Sequence, residues 1–419
     1  MLRKLTNHEA LKQLGPGLIT GAADDDPSGI ATYSQAGAQF GFGMLWTVVI
    51  TYPLMVGIQM IGARMGWITG KGLAANIRAV FPRPVLLALV GLLMAANTIN
   101  IAADIGAMGE ALQLIVGGGE HFHAVVFGFL SLVLQIFMPY ERYVRFLKWL
   151  TLALLSYVAV VFMVNIPWLE VLGRVVWPRL AINADSITVI VAVFGTTISP
   201  YLFFWQATQE AHLGRAPEVA ELRGSEEFTR LHLRRIKIDT YVGMGFSNLI
   251  AFFIILGTAA TLHVAGVTEI QTAKQAAEAL RPVAGELTFT LFALGIIGTG
   301  MLAVPVLAGS AAYALAEAFD WKTGLDRKLF EAKEFYAMLT VATIGGTILD
   351  FTPIDPIQAL FWSAVINGFI AVPIMAVMMI LSQRRDVMGT FTVRPKLRAL
   401  GWGATLVMAV AAIAMVAIR

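Results

Sequence analysis

The chain contains no cysteine, which excludes disulfides, thiolate-held iron–sulfur clusters and thiolate zinc sites. Charge is nearly as scarce: Asp, Glu, Lys and Arg make up 14% of 419 residues, where a soluble domain carries about 25%. With 58% apolar residues and 39 glycines besides, there is too little polar surface to cover a water-facing exterior. A polytopic helical membrane protein is the class that remains. The net charge of +3 is small and spread over short loops, so no nucleic-acid partner is expected. No P-loop, HExxH or GxSxG motif occurs, which argues against an ATP-driven pump, a membrane protease or any other enzyme. No bound cofactor and no obligatory protein partner are expected beyond the lipid bilayer. The opening stretch MLRKLTNHEALKQLG is basic but lacks an apolar core and a small-residue cleavage site, so no removable signal peptide is visible.

What is present is a series of long apolar runs. They predict spans near 15–40, 43–63, 85–115, 121–139, 147–166, 186–211, 238–263, 286–317, 335–350, 356–381 and 399–418. With the N-terminus placed in the cytoplasm, 25 of the 30 Lys and Arg residues fall on the inner side, leaving Arg174, Arg179, Lys274, Arg281 and Arg419 elsewhere. One missed helix would invert every later loop and destroy that asymmetry. The expected orientation is therefore N-terminus in and C-terminus out, in a bacterial cytoplasmic membrane.

Two spans are interrupted. The first contains GAADDDPSGIATYSQ and the sixth FGTTISPYLFFWQ, each with a proline and small polar neighbours mid-span, where proline removes a backbone donor. Five helices separate the two, so they start on opposite faces. Interrupted helices at equivalent places in two oppositely oriented halves predict an inverted repeat with a midplane binding site. Residues 1–419 would form one transmembrane domain: repeat one over about 15–166, repeat two over about 186–381, and an additional helix at about 399–418.

The first break carries Asp24, Asp25 and Asp26. One mid-membrane Asp costs about 2.5–3.5 kcal/mol on the insertion scale, so three in a row call for water or a cation. At 100° per helical residue all three cannot face one partner. Asp26, adjoining Pro27, is the expected cation ligand, while Asp24 and Asp25 either line a vestibule or bond to neighbouring helices. At the sixth break Thr196, Thr197 and Ser199 offer hydroxyls and Tyr201 a phenol, and unwinding frees carbonyls. Every candidate donor is oxygen, the chemistry of a hard cation such as Mg²⁺, with Mn²⁺ possible. Asn97, Asn100 and Asp104 stand three and four apart on the third span, either touching the ion's water shell or binding helix to helix. Gln206 and Glu210, four apart, either line the inner exit or simply meet water, and Asn367 on the tenth span is a further candidate ligand.

DDDPSG in the first span, TTISPY in the sixth and NIAADIGAMGEAL in the third together resemble the Nramp superfamily of divalent-metal transporters. The resemblance implies an all-α LeuT-type fold of five plus five inverted helices, eleven in all, with helices one and six broken. It also implies metal ligands at Asp26 and at the positions of Gly29 and Ser199, beside the Thr196 and Tyr201 oxygens read above. The family's usual first-span Asp-Pro-Gly-Asn reads Asp26, Pro27, Ser28, Gly29 here, and its sixth-span Met-Pro-His reads Ser199, Pro200, Tyr201. Losing a thioether and an amide ligand leaves a roomier, harder site, which resembles the Nramp-related magnesium transporters. Asp104 aligns with the family's third-span Asp, but Ala107 stands for the Glu that follows and Tyr201 and Gln206 for the sixth-span His residues. Neither substitute titrates near neutral pH, so uncoupled uptake is expected, driven by about 4.6 kcal/mol per 100 mV for a divalent ion. The alternatives are a proton-coupled Mn²⁺/Fe²⁺ importer and a membrane metal sensor that does not transport.

Overall fold

A computed structural model describes residues 15–138, 150–178, 183–215, 219, 225–324 and 329–418. The N-terminal tail, the first residues of the fifth span, and Arg142, Arg145, Lys148, Arg179, Arg223, Arg327, Lys328 and Arg419 lie outside the described residues. Among those described no strand occurs. The first span is α1 (Pro16–Asp24) and α2 (Pro27–Phe40), followed by α3 (Leu45–Thr69), the short linker helix α4 (Leu73–Val80), α5 (Arg83–Val116) and α6 (Glu120–Phe137). The fifth span ends in α7 (Leu155–Met163), with α8 (Trp168–Val176) after it. The second half comprises α9 (Ala184–Thr197) and α10 (Pro200–Arg215), α11 (Glu226–Thr258), α12 (Thr288–Phe319), α13 (Lys333–Leu349), α14 (Pro356–Gln383) and the additional helix α15 (Pro395–Ile418).

Among the described residues eight helical stretches are long and apolar enough to cross a membrane, and a bent pair makes a ninth. One of the eight, Pro27–Thr69, carries both the second half of span one and span two, while the short ninth span is the 17-residue α13. The expected spans are thus all represented. Two differ from the apolar runs. The fifth stops at Met163 and turns by 117° into α8, because Pro167 disfavours helix in the residue before it. Helix α8 then exposes Trp168, Leu169 and Leu172 while burying Val171, the pattern of a helix lying in a membrane interface. The seventh begins twelve residues earlier than its apolar stretch, since Ser225 caps the N-terminus and an Arg230–Glu226 pair reinforces the polar first turns.

Proline position separates the broken helices from the intact ones. Pro53, Pro305 and Pro373 sit inside continuous helices, whereas Pro27 and Pro200 occupy the first position of α2 and α10 and so start new helices. The half-helices are then held by backbone contact. A Cβ on Gly21 would lie 2.3 Å from the Gly243 carbonyl oxygen, one on Gly195 2.0 Å from that of Ala364, and one on Gly66 1.9 Å from that of Ala207. These contacts seat α1 on α11, α9 on α14 and α10 on α3. Asp239 on α11 also accepts from the Gly17 N–H (2.8 Å), a donor left over at the opening of α1, and from the Leu18 N–H (3.2 Å), which is shared with the Gly15 carbonyl. Helices α5, α6, α12 and α13 form a second packed group, which α10 meets through α12.

Gly66→Val is expected to lower the thermal unfolding midpoint in detergent by several degrees. Overpacking costs about 1–3 kcal/mol, and here the obstacle is backbone rather than a side chain that can turn aside. Gly91→Ala, with nothing within 4 Å, is expected to leave the midpoint unchanged or raise it; equal behaviour of the two variants would refute the close-packing account.

Candidate functional site

Asp26 has an extended backbone and N-caps α2. Its Oδ1 accepts from the Gly29 N–H at 2.8 Å and from the Ser28 hydroxyl at 2.7 Å, which is the bonding of an ordinary cap. Its Oδ2 is directed elsewhere. It accepts from Asn100 Nδ2 on α5 at 3.1 Å and lies 3.3 Å from the Tyr201 hydroxyl on α10, which also donates to the Ala23 carbonyl at the end of α1 (3.0 Å). One carboxylate thereby joins both broken spans and the third.

The sixth break faces it. Helix α9 ends at Thr197, and the Ser199 hydroxyl donates to the carbonyls of Gly195 (2.7 Å) and Thr196 (2.8 Å), two of the acceptors left over at a helix end. Thr196 Oγ1 stands 3.4 Å from Ser28 Oγ, and Thr197 Oγ1 bonds the Tyr33 hydroxyl at 3.0 Å. A Cβ on Gly29 would come 3.3 Å from the Asp24 carbonyl oxygen and 3.4 Å from Thr196 Oγ1. Position 29 therefore lies where the two breaks approach each other closely, and a larger residue there would have to displace a neighbour.

The polar stripe on α5 divides. Asn100 joins the site: its Nδ2 also reaches Asp104 Oδ2 at 3.4 Å, and its Oδ1 accepts from Ser363 on α14 at 2.8 Å, which fixes the amide with its N–H groups toward Asp26. Asn97 instead donates to the Leu307 carbonyl and Ser310 on α12, binding helix to helix. Asn367 is buried on α14, next to the Gly368 that packs on α9, and its Nδ2 has no hydrogen-bond partner. Gln206 is likewise interior: it accepts from Gln59 at 2.7 Å and donates to Thr240 at 3.1 Å. Glu210 meets no water. It is fully buried against Arg235 (2.7 Å) and His232 (3.1 Å), with His232 stacked on Trp67. Asp24 and Asp25 both accept from the Ser247 hydroxyl on α11, so two of the three acids share a partner. The three do not face one partner, as expected, since Asp26 turns to α5 and α10; Asp24 and Asp25 can share Ser247 because the helix stops at Asp24 and Asp25 has left helical geometry.

Sequence reading missed Ser28, Tyr33, Ser247 and Ser363. For Ser363 a signal existed, its spacing of four from Asn367 on an otherwise apolar helix.

Charge is the site's defining feature. Asp24, Asp25, Asp26 and Asp104 are each at most 2% exposed, and among the described residues none has an ion-pair partner, whereas the buried Glu210 has two. One oxygen each of Asp24 and Asp104 accepts no hydrogen bond at all. Buried carboxylates left in this state strongly favour a cation or a proton. Among the described residues no three His, Cys, Asp or Glu side chains converge as a metal cage, so a cation bound at Asp26 would take most of its ligands from neutral oxygens. A cavity of about 340 Å³ lies beyond the site toward the end of α2, lined by Ala31, Gln35, Asp185, Thr188, Glu269 and Trp362 among others. Ala31 is little more than one helical turn from Asp26.

Comparison with known proteins places these features. The chain is 29% identical over 385 residues to a divalent metal cation transporter MntH of Verminephrobacter eiseniae, covering 90% of this chain and 82% of that one. To the protein of the same name from Deinococcus radiodurans it is 28% identical over 397 residues, covering 93% and 86%. The fold superposes on a manganese transporter of Eremococcus coleocola with a TM-score of 0.75 at 17% identity, over 98% of this chain and 88% of that one. It also superposes on Mhp1, a nucleobase-cation-symport-1 family transporter, with a TM-score of 0.60 at 15% identity, over 97% and 91%. The Nramp profile, described as natural resistance-associated macrophage protein-like, matches residues 17–417, and the chain belongs to that family.

Proposed function

We propose that this protein is a secondary carrier of divalent metal cations that takes up chiefly Mg²⁺, passes Mn²⁺ as well, and works by alternating access without proton coupling. The observation that carries the reading is the ionisable carboxylate of Asp26, buried at the meeting of two helix breaks with three further acids nearby and no basic partner among the described residues. Asp26, Thr196, Ser199, Tyr201, Asn367 and the backbone at Gly29 form the ion's surroundings, with Asn100 and Asp104 reached through retained water. Asp24, Asp25, Asn97, Gln206 and Glu210 act chiefly by holding helices together, as their bonds to α11, α12 and α3 indicate. Mg²⁺ is a hard ion that takes oxygen ligands, and a donor set of carboxylate, hydroxyl, phenol, amide and carbonyl oxygens with no thioether or imidazole suits it. The whole chain acts as one transmembrane domain in a bacterial cytoplasmic membrane, N-terminus inside, as the sorting of 25 of 30 basic residues supports. In that orientation the 340 Å³ cavity opens outward and the capped α1 closes the inner side.

The second reading is proton-coupled Mn²⁺/Fe²⁺ import. The manganese named for the Eremococcus coleocola transporter favours its metal, and the unpartnered Asp104 Oδ1 offers a place for a proton two hydrogen bonds from Asp26, through Asn100. Proteoliposomes clamped at an inside-negative potential, with a pH dye within, separate the two. Mg²⁺ entry without acidification is expected. Acidification in step with Mn²⁺ entry, with Mg²⁺ excluded, overturns the first reading in favour of the second, and no flux of either ion removes both.

A further inference from the structure

Outside the ion site, Arg64 on α3 and Arg394 beside the start of α15 have no ion-pair partner among the described residues. Leu54, Gly57, Ile61 and Arg64 are spaced three, four and three apart, along one face of α3. That face meets α15: a Cβ on Gly57 would touch Leu400, and one on Gly403 would approach Leu54. The two helices are thus antiparallel, and two turns past Gly57 the same register sets Arg64 across from Val393 and Arg394. Arg394 is indeed close enough for the two charges to repel. Arg64 Nε is buried with no acceptor, and among the described residues neither arginine has a carboxylate within ion-pairing distance. On the same side of the bundle Asp386 pairs with Arg384, Asp320 with Arg78, and Glu210 with Arg235 and His232. Lys396 and Arg398 stand exposed on the first turn of α15, whose free N–H groups add positive potential.

Two arginines facing each other across one helix pair, one with a desolvated N–H donor, form a place that an anion would satisfy. We propose that the notch between α3 and α15 binds a phosphate group, supplied by an anionic phospholipid. The notch lies at the basic end of two membrane helices, and α15 continues from it with Trp402 and Leu406 exposed, so acyl chains would lie against an apolar surface while the phosphate meets arginine. A guanidinium takes two phosphate oxygens through parallel N–H donors, which a lysine cannot reproduce.

The test measures thermal stabilisation of the full chain in detergent on titration with phosphatidylglycerol, phosphatidylcholine or inorganic phosphate. Phosphatidylglycerol is expected to raise the midpoint and phosphatidylcholine to do little. Arg394→Gln, an exposed change that leaves folding intact, should weaken the lipid's apparent affinity by about fivefold, and Arg64→Gln by at least as much. Lys333→Gln, which removes a charge on α13 at the same end, should leave it unchanged. No stabilisation by phosphatidylglycerol, or an equal loss in the Lys333 variant, overturns the proposal, because the effect would then be absent or merely a matter of total charge. Stabilisation by inorganic phosphate alone, with none from the lipid, overturns the lipid source.

Discussion

Asp26→Asn abolishes divalent-cation uptake while the protein stays folded. The argument rests on the division of labour between the two carboxylate oxygens. Oδ1 is an N-cap acceptor for Gly29 and Ser28, a role that asparagine's carbonyl oxygen performs as well, since Asn and Asp rank together as caps. Oδ2 faces Asn100 and Tyr201, and its contribution is charge. Asparagine removes that charge and would put either an N–H against the donors of Asn100 or a neutral oxygen where the ion needs an anionic one. Asp26→Ala goes further and also loses the cap, which costs about 0.5–2 kcal/mol, so its unfolding midpoint should fall while the Asn variant's stays near wild type. Uptake of Mg²⁺ and Mn²⁺ into proteoliposomes at a fixed potential, with thermal unfolding of the same preparations, reads both effects. Wild-type-like flux through the Asn variant would falsify Asp26 as the ion's anionic ligand.

Ser199→Met is expected to move the competition between the two ions toward Mn²⁺ by about tenfold, equivalent to ~1.4 kcal/mol. Two physical changes act together. The hydroxyl now donates to the carbonyls of Gly195 and Thr196, and methionine leaves both free at the negative end of α9. It also introduces a polarizable sulfur, which Mn²⁺ tolerates better than the harder Mg²⁺. Ser199→Leu separates them, because it frees the same carbonyls without adding sulfur. A shift in the Met variant and none in the Leu variant assigns selectivity to the thioether. If Mg²⁺ inhibits Mn²⁺ uptake equally in wild type and the Met variant, Ser199 does not face the ion.

The spans, the two breaks and the prominence of Asp26 were legible in the sequence because each rests on a coarse physical signal: apolar run length, a proline amid small polar residues, and an expensive charge in the membrane. That Asp24 and Asp25 bond a neighbouring helix was one of two alternatives; that they share a single partner was not legible, since helical spacing assigns directions only while the helix lasts, and it ends between them. For Gln206 and Glu210 the sequence leaves two alternatives, lining the inner exit or meeting water, and points to neither of the buried networks, because their partners Gln59, His232 and Arg235 come from spans two and seven, which no local pattern connects. The hydroxyls were hardest to read. Thr20, Thr98, Thr188, Thr258 and Thr343 all bond a carbonyl four residues back in their own helix, and Ser363 also bonds one three residues back. A serine that additionally orients Asn100 therefore looks, in sequence, like many that merely satisfy themselves.

The cap that Asp239 places on α1 has a mechanical consequence. Helix α1 has nine residues, about 14 Å, and is clasped both at its first amides and along its glycine edge by the same neighbour. It has no free length on which to swing as a lever. Any motion that clears its side of the bundle either carries α11 along as a rigid couple or strands the Gly17 amide and a carboxylate in a low-dielectric surround. The first route conserves every bond between them, so the moving part is a pair of helices, with its pivot among the neighbours of α11 and not at the aspartates.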